Sequence, residues 1–309
     1  MKKRSLALLA GFSAAALTLA GCSSADESGS GNGNDGAADY ATVENGDKAD
    51  LNIAVFNGWD EGIAASELWK AILEDKGYNV ELTYADPGPV FLGLADASYD
   101  LTLDGWLPLT HASYMEEYGD SIEDLGSWND EAVLTVAVNS DAPIDSLEEL
   151  AENADLFDNR LVGIDAGAGL TKAVQENTIP GYGLEGMDFI VSSTPAMLTE
   201  LQAATDAGEN IAVTLWRPHW AYDAFDIKDL ADPEGTLGDA EGIHSFGSEN
   251  FGDEFPQLHA WLSEWKMDSE TLHSLENAMF NEVETDDYTD IVAEWISENQ
   301  EWVDSLTAE

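Results

Sequence analysis

Cysteine occurs once in these 309 residues, at Cys22. A single thiol forms no internal disulfide and no cysteine metal cluster. Basic residues are scarce as well: eleven Lys and Arg stand against 62 Asp and Glu, a formal charge of −51. Phosphate backbones are held by basic side chains, so nucleic acid is excluded as a partner. Charges more than about 10 Å apart are screened at ordinary salt, and the acidic surface reads as a solubility device. Gly-x-Ser-x-Gly and His-Glu-x-x-His are missing, and His244, His259 and His273 have no metal-ligand spacing. No catalysis, cofactor or metal is expected.

Long apolar runs are also lacking, with one exception. After Met1-Lys2-Lys3-Arg4 comes an apolar stretch from Ser5 to Leu19, then Ala20-Gly21-Cys22. The stretch is shorter than the roughly 20 residues of a spanning helix, and basic, apolar and small-residue regions in that order predict an export signal over residues 1–21. Leu19-Ala20-Gly21-Cys22 resembles the bacterial lipobox, which makes Cys22 the lipidated first residue of the exported protein. Three basic residues and no acidic ones leave with the signal, so the charge moves from −51 to −54. Residues 22–50 are Ser, Gly, Asn, Asp and Ala with little to bury, a flexible tether reaching roughly 30 Å.

A chain of this length favours two lobes over one core. Leu51, Ile53 and Val55 alternate as a strand, and Ala65, Leu68, Trp69 and Ile72 share a helix face that Gly77 ends. Strands at Val80–Tyr84 and Leu101–Leu103 follow, with a short helix near Phe91–Ala95 between them. This βαβαβ order predicts an α/β fold, a mostly parallel sheet with its ligand beyond the carboxyl ends of the strands. Ala132–Val138 leads out of the first lobe and Ser146 opens a new helix as a capping box. A second unit repeats the plan: a strand over Leu161–Ile164, a glycine loop, a strand over Phe189–Val191, a helix with Thr194 as N-cap and Pro195 at N1, and a strand over Ile211–Leu215. The expected division is 51–139 with 244–309 for lobe 1 and 140–243 for lobe 2. Near the C-terminus Tyr288, Ile291, Val292, Trp295, Ile296, Trp302 and Val303 form one apolar stripe on a last helix; Trp128, Trp261 and Trp265 are also assigned to the core.

Three tryptophans stand at strand ends instead: Trp59 in Asn57-Gly58-Trp59-Asp60-Glu61-Gly62, Trp106 in Gly105-Trp106-Leu107-Pro108-Leu109-Thr110-His111, and Trp216 in Leu215-Trp216-Arg217-Pro218-His219-Trp220. Converging indole faces suit a quaternary ammonium, which has no N–H to donate. Gly163-Ile164-Asp165-Ala166-Gly167-Ala168-Gly169 precedes a helix whose free amides suit an anion. Together these four motifs resemble the glycine betaine-binding proteins of ABC importers, from Leu51 to about Asp304. The resemblance implies a two-lobe periplasmic-binding-protein fold of type II with the ligand in the interlobe cleft. It further implies that Trp59, Trp106 and Trp216 box the trimethylammonium group, and that His111 and the amides of Gly169 and Leu170 hold the carboxylate. Asp60 and Asp104 are left outside the ligand's immediate contacts, and His219 is read as part of its own loop. The expected partners are a betaine, a permease with its ATPase subunits, and the membrane through the lipid anchor, with the protein a monomer. Choline, carnitine and proline betaine are the alternative ligands, and choline has no carboxylate to satisfy His111 and the two amides.

Replacing Cys22 tests the anchor. Cys22→Ala should end lipidation and leave the protein released or trapped as an unprocessed precursor. Correct cleavage with unchanged membrane association in cell fractionation would refute the assignment.

Overall fold

The computed structural model describes residues 49–282 and 285–308; the expected export segment, Cys22 and the tether up to residue 48 lie outside them. Nine strands make one sheet: β1 (Asp50–Phe56), β2 (Asn79–Ala85), β3 (Leu101–Leu107), β4 (Ile122–Asn139), β5 (Arg160–Val162), β6 (Asp188–Ile190), β7 (Ala212–Arg217), β8 (Ile227–Asp229) and β9 (Glu241–Ser248). Their spatial order is β2-β1-β3-β9-β4-β7-β5-β6, with β8 beside β4.

The sheet divides along β4. Its residues 122–132 pair antiparallel with β9, whereas 133–138 pair antiparallel with β7, and 137–139 with β8. One half therefore carries parallel β2, β1 and β3, and the other parallel β6, β5 and β7. The crossover segments between parallel strands are helical, as parallel pairing requires. In the first half the crossover is helix α1 (Asp60–Asp75), which buries Ala65, Leu68, Trp69 and Ile72, the expected face. It stops at Gly77 (φ +91°), where the Gly77 and Tyr78 amides bond back to the carbonyls of Glu74 and Leu73. Helix α2 (Pro87–Ala95) follows β2. Behind this half, Trp128 stacks on Trp265 at 4.7 Å and Trp69 meets Trp265 edge-on at 5.4 Å. That cluster ties α1 to β4 and the C-terminal helices.

Two local expectations are corrected. Ser193, not Thr194, caps the helix Thr194–Ala207: Ser193 is extended and its Oγ accepts from the Ala196 amide, while Thr194 is already helical. The apolar stripe near the C-terminus is shared by two helices, Thr289–Glu298 and Gln300–Ser305, because Asn299 leaves the helical region and its Nδ2 bonds the Trp295 carbonyl at 2.9 Å. Trp295 is buried, and Trp302 lies half-buried against its edge at 5.8 Å.

Trp295 also donates to Ser274 Oγ at 2.9 Å, which fastens the terminal helices to the helix Ser269–Glu276. Trp295→Ala should cost about 3–5 kcal/mol of stability. Urea titration should show it as a lowered midpoint at unchanged slope; an unchanged midpoint would put this residue outside the core.

Candidate functional site

Trp59, Trp106 and Trp216 line one cavity of about 270 Å³, counting its open mouth. Glu61 and Thr110 join the wall from the first half, and Leu134, Ile164 and 168–170 from the second. The three indoles are 5, 3 and 3% exposed. Trp59 reaches the cavity because Gly58, at φ +71°, turns the chain from β1 into α1. Trp106 and Trp216 lie in β3 and β7, and each is followed two residues later by a cis proline, Pro108 and Pro218.

Carboxyl groups hold the ring edges. Trp106 Nε1 donates to Asp104 Oδ1 at 2.8 Å, and Asp104 is pressed so closely on α1 that a Cβ on Gly62 would lie 2.4 Å from its Oδ2. Trp216 Nε1 donates to Glu61 Oε2 at 2.9 Å and Trp220 Nε1 to Asp60 Oδ2 at 2.5 Å. Both of these bonds cross from one half to the other, as does Tyr114 OH to the Gly167 carbonyl at 3.1 Å. At Gly169 the crossing is backbone on backbone: a Cβ there would stand 2.2 Å from the Thr110 carbonyl oxygen. Thr110 is fixed in turn by Glu241 on β9, whose carboxylate accepts from the Leu109 and Thr110 amides at 2.7 and 2.8 Å and from the Thr110 hydroxyl.

His111 does not line the cavity. The turn after Trp106 folds back on itself, with the His111 amide on the Trp106 carbonyl and the Trp106 amide on His111 Nδ1 at 2.9 Å. The ring therefore lies behind Trp59, nearly parallel to it at 5.6 Å and fully buried. Burial pulls its pKa down to about 3, so it is neutral. Because Nδ1 accepts, the proton sits on Nε2, which has no hydrogen-bond partner among the described residues. Gly169 and Leu170 open the helix Gly169–Ala173, where first-turn amides have no intrahelical acceptor. Asp60 and Asp104 are outside the wall, as expected, and His219 is internal to its loop, its Nδ1 accepting from the Ala221 amide. Sequence reasoning missed Glu61, Thr110, Leu134 and Glu241. For Glu61 the signal was there, one residue past Asp60 in the Trp-Asp-Glu-Gly run.

The family model for the substrate binding domain of the ABC-type glycine betaine transport system matches residues 49–298. The chain belongs to this family. The glycine betaine/carnitine transport binding protein GbuC of Listeria monocytogenes is 32% identical over 171 residues, 53% of this chain and 55% of that protein. The match thus spans little more than half of this curated relative. Lactococcal OpuAC, solved closed with glycine betaine, superimposes with a TM-score of 0.78 at 26% identity over 85% of this chain and all of that one. ProX from Borrelia burgdorferi gives 0.78 at 28% identity over 84% and 97%. The fold is accordingly the α/β periplasmic-binding-protein fold that the motifs implied.

The backbone contact at Gly169 gives a sharp test. Gly169→Ala places a methyl group against a peptide carbonyl that Glu241 holds fixed, so the halves must separate while each stays folded. Circular dichroism should be unchanged, and amide exchange at 109–110 and 216–220 should accelerate. Native exchange rates at both segments would show that the seam yields at no cost.

Proposed function

We propose that this protein captures glycine betaine outside the cytoplasm, tethered through Cys22, and presents it as a monomer to the permease of an ABC importer driven by ATPase subunits. One observation carries the reading: three indoles from both halves surround a single cavity, with the N–H groups of Trp106 and Trp216 already bonded to carboxyls. Ring faces are what remains, and faces are what a methylated ammonium needs.

The energetics suit such a ligand. A desolvated cation–π contact is worth roughly 2 kcal/mol, so three supply on the order of 6. A micromolar complex needs about 8 kcal/mol net. The carboxylate end supplies more, to the amides of Gly169 and Leu170 at the start of their helix, while His111 backs the cage from behind Trp59. The family match and the names of its relatives point the same way. Carnitine, which the Listeria protein's name includes, is the second reading, because it too joins a quaternary ammonium to a carboxylate. Choline lacks the carboxylate and would leave those donors unpaired, at about 1–3 kcal/mol for a buried group.

Isothermal titration decides it. Glycine betaine should bind the native protein more tightly than choline, and Trp106→Ala or Trp216→Ala should weaken it by at least about 2 kcal/mol, some 30-fold, with Trp→Phe milder. Near-native affinity in folded Trp106→Ala and Trp216→Ala proteins would place the cage elsewhere.

A further inference from the structure

The seam between the halves buries more acid than the cage uses. Asp60 and Glu61 stand on the first turn of α1, Asp104 on β3 and Glu276 on the helix Ser269–Glu276, all 8% exposed or less. Among the described residues both Glu276 oxygens and Asp104 Oδ2 lack hydrogen-bond partners. What the second half brings against this cluster is uncharged: the indole N–H groups of Trp216 and Trp220, and His219. His219 Nε2 lies 3.7 Å from Asp60 Oδ2, but burial pulls the imidazole down to about 3, so it stays neutral. Among the described residues no Lys or Arg pairs with any of the four carboxyls. The other titratable neighbours are three. Tyr288 is pushed up to about 12 by burial and by Asp60, and keeps its proton. His111 is neutral behind Trp59. His273 lies beside Glu276 on the same helix, its Nε2 3.6 Å from Asp223 Oδ2 of the other half.

Separating the halves removes Trp216, Trp220 and His219 from α1 and returns Asp60 and Glu61 to water. Closing them strips that water from carboxylates that have no basic partner, which is expensive unless the charge is lost or answered. Glu61 also lines the cavity, so a cation in the cage stands beside it. We propose that protons on this cluster and a quaternary ammonium in the cage are interchangeable in closing the cleft. At pH 8 and above the carboxylates hold the halves apart until the cation enters; in mild acid, protonation closes them without it.

The sign follows from the two states. In the closed form burial raises Asp60 to about 7 and Glu61 to about 8, while in the open form both stand near the usual carboxylate value of about 4. The closed form binds more protons between those limits. Its advantage is complete below about pH 4 and is lost as the pH rises through 7 and 8, by up to tenfold per pH unit for each group.

Spin labels at exposed Glu74 of α1 and Asp206 of the second half (E74C and D206C, with C22A) report the separation by pulsed electron resonance. Without ligand, lowering the pH from 8 to 5.5 should raise the closed-to-open ratio at least about tenfold. Asp60→Asn with Glu61→Gln keeps an acceptor for each indole and removes both charges, and should be closed already at pH 8 with no pH response. Glycine betaine at pH 8 should close the native protein but change the double variant little. Identical ligand-free distances at pH 8 and 5.5 in the native protein would overturn the proposal. So would a surviving pH response in the double variant, which would assign closure to groups other than Asp60 and Glu61. Only the betaine arm rests on the proposed function: if it alone fails, the ligand is wrong and the proton-driven closure stands.

Discussion

A hydrogen bond from a tryptophan N–H to a buried carboxyl occurs three times at this site, and the rest of the arrangement depends on it. Trp106 meets Asp104, Trp216 meets Glu61, and Trp220 meets Asp60. Each bond fixes a ring by its polar edge, and at Trp106 and Trp216 the apolar faces remain available to the cavity, whereas Trp220 packs on His219 and Phe225 outside it. The second and third also join the halves, which makes cage assembly and cleft closure a single event. Asp104 belongs to the first half alone and prepares Trp106 in advance.

This chemistry is possible because backbone approaches closely where side chains are absent. Gly62 lets α1 press on Asp104, and Gly169 lets the second half touch the Thr110 carbonyl. The Thr110 side of that contact is rigid because Glu241 reaches across from β9 and takes up two amides and a hydroxyl. A carboxylate in that position does what a cap does for a helix, satisfying donors that a tight turn would otherwise leave exposed. The strand that supplies it is paired on one side with β3 and on the other with β4, so the loop is anchored to the centre of the sheet.

The fold was legible because it is written in periodicity: the α1 face, the alternation in β1 and the glycine stop at Gly77 need only local rules. That Trp59, Trp106 and Trp216 meet at one cavity was legible for the opposite reason, since they fall at strand ends where packing does not call for indoles. Glu61 was not legible, because next to Asp60 on a first helical turn an acidic residue is explained by the helix dipole alone. Its role appears only when Trp216, 155 residues later, arrives beside it. Glu241 was hidden in the same way, by a contact of long sequence separation. His111 was placed with Trp106 but not behind Trp59, because five residues of spacing leave open whether the turn presents the imidazole to the rim or folds it inward. The Thr194 cap failed because Ser193 offers the same chemistry one residue earlier, and such boundaries are set by backbone angles that composition does not carry.

The surface charge and the buried charge act on different scales. A formal charge of −51 surrounds the molecule, but its field is cut off within about 8 Å at physiological ionic strength and within about 3 Å at 1 M salt. The seam carboxyls are out of water, where mobile ions do not reach, and the proposed cation beside Glu61 would be held by contacts that salt screens far less. Rising salt therefore weakens any long-range attraction of the surface for a cation while leaving the cage nearly intact. A solute receptor that has to work in concentrated salt gains little from surface acidity as a lure, and its selectivity has to come from indole faces and buried acids. In this chain those two groups are joined by the same hydrogen bonds.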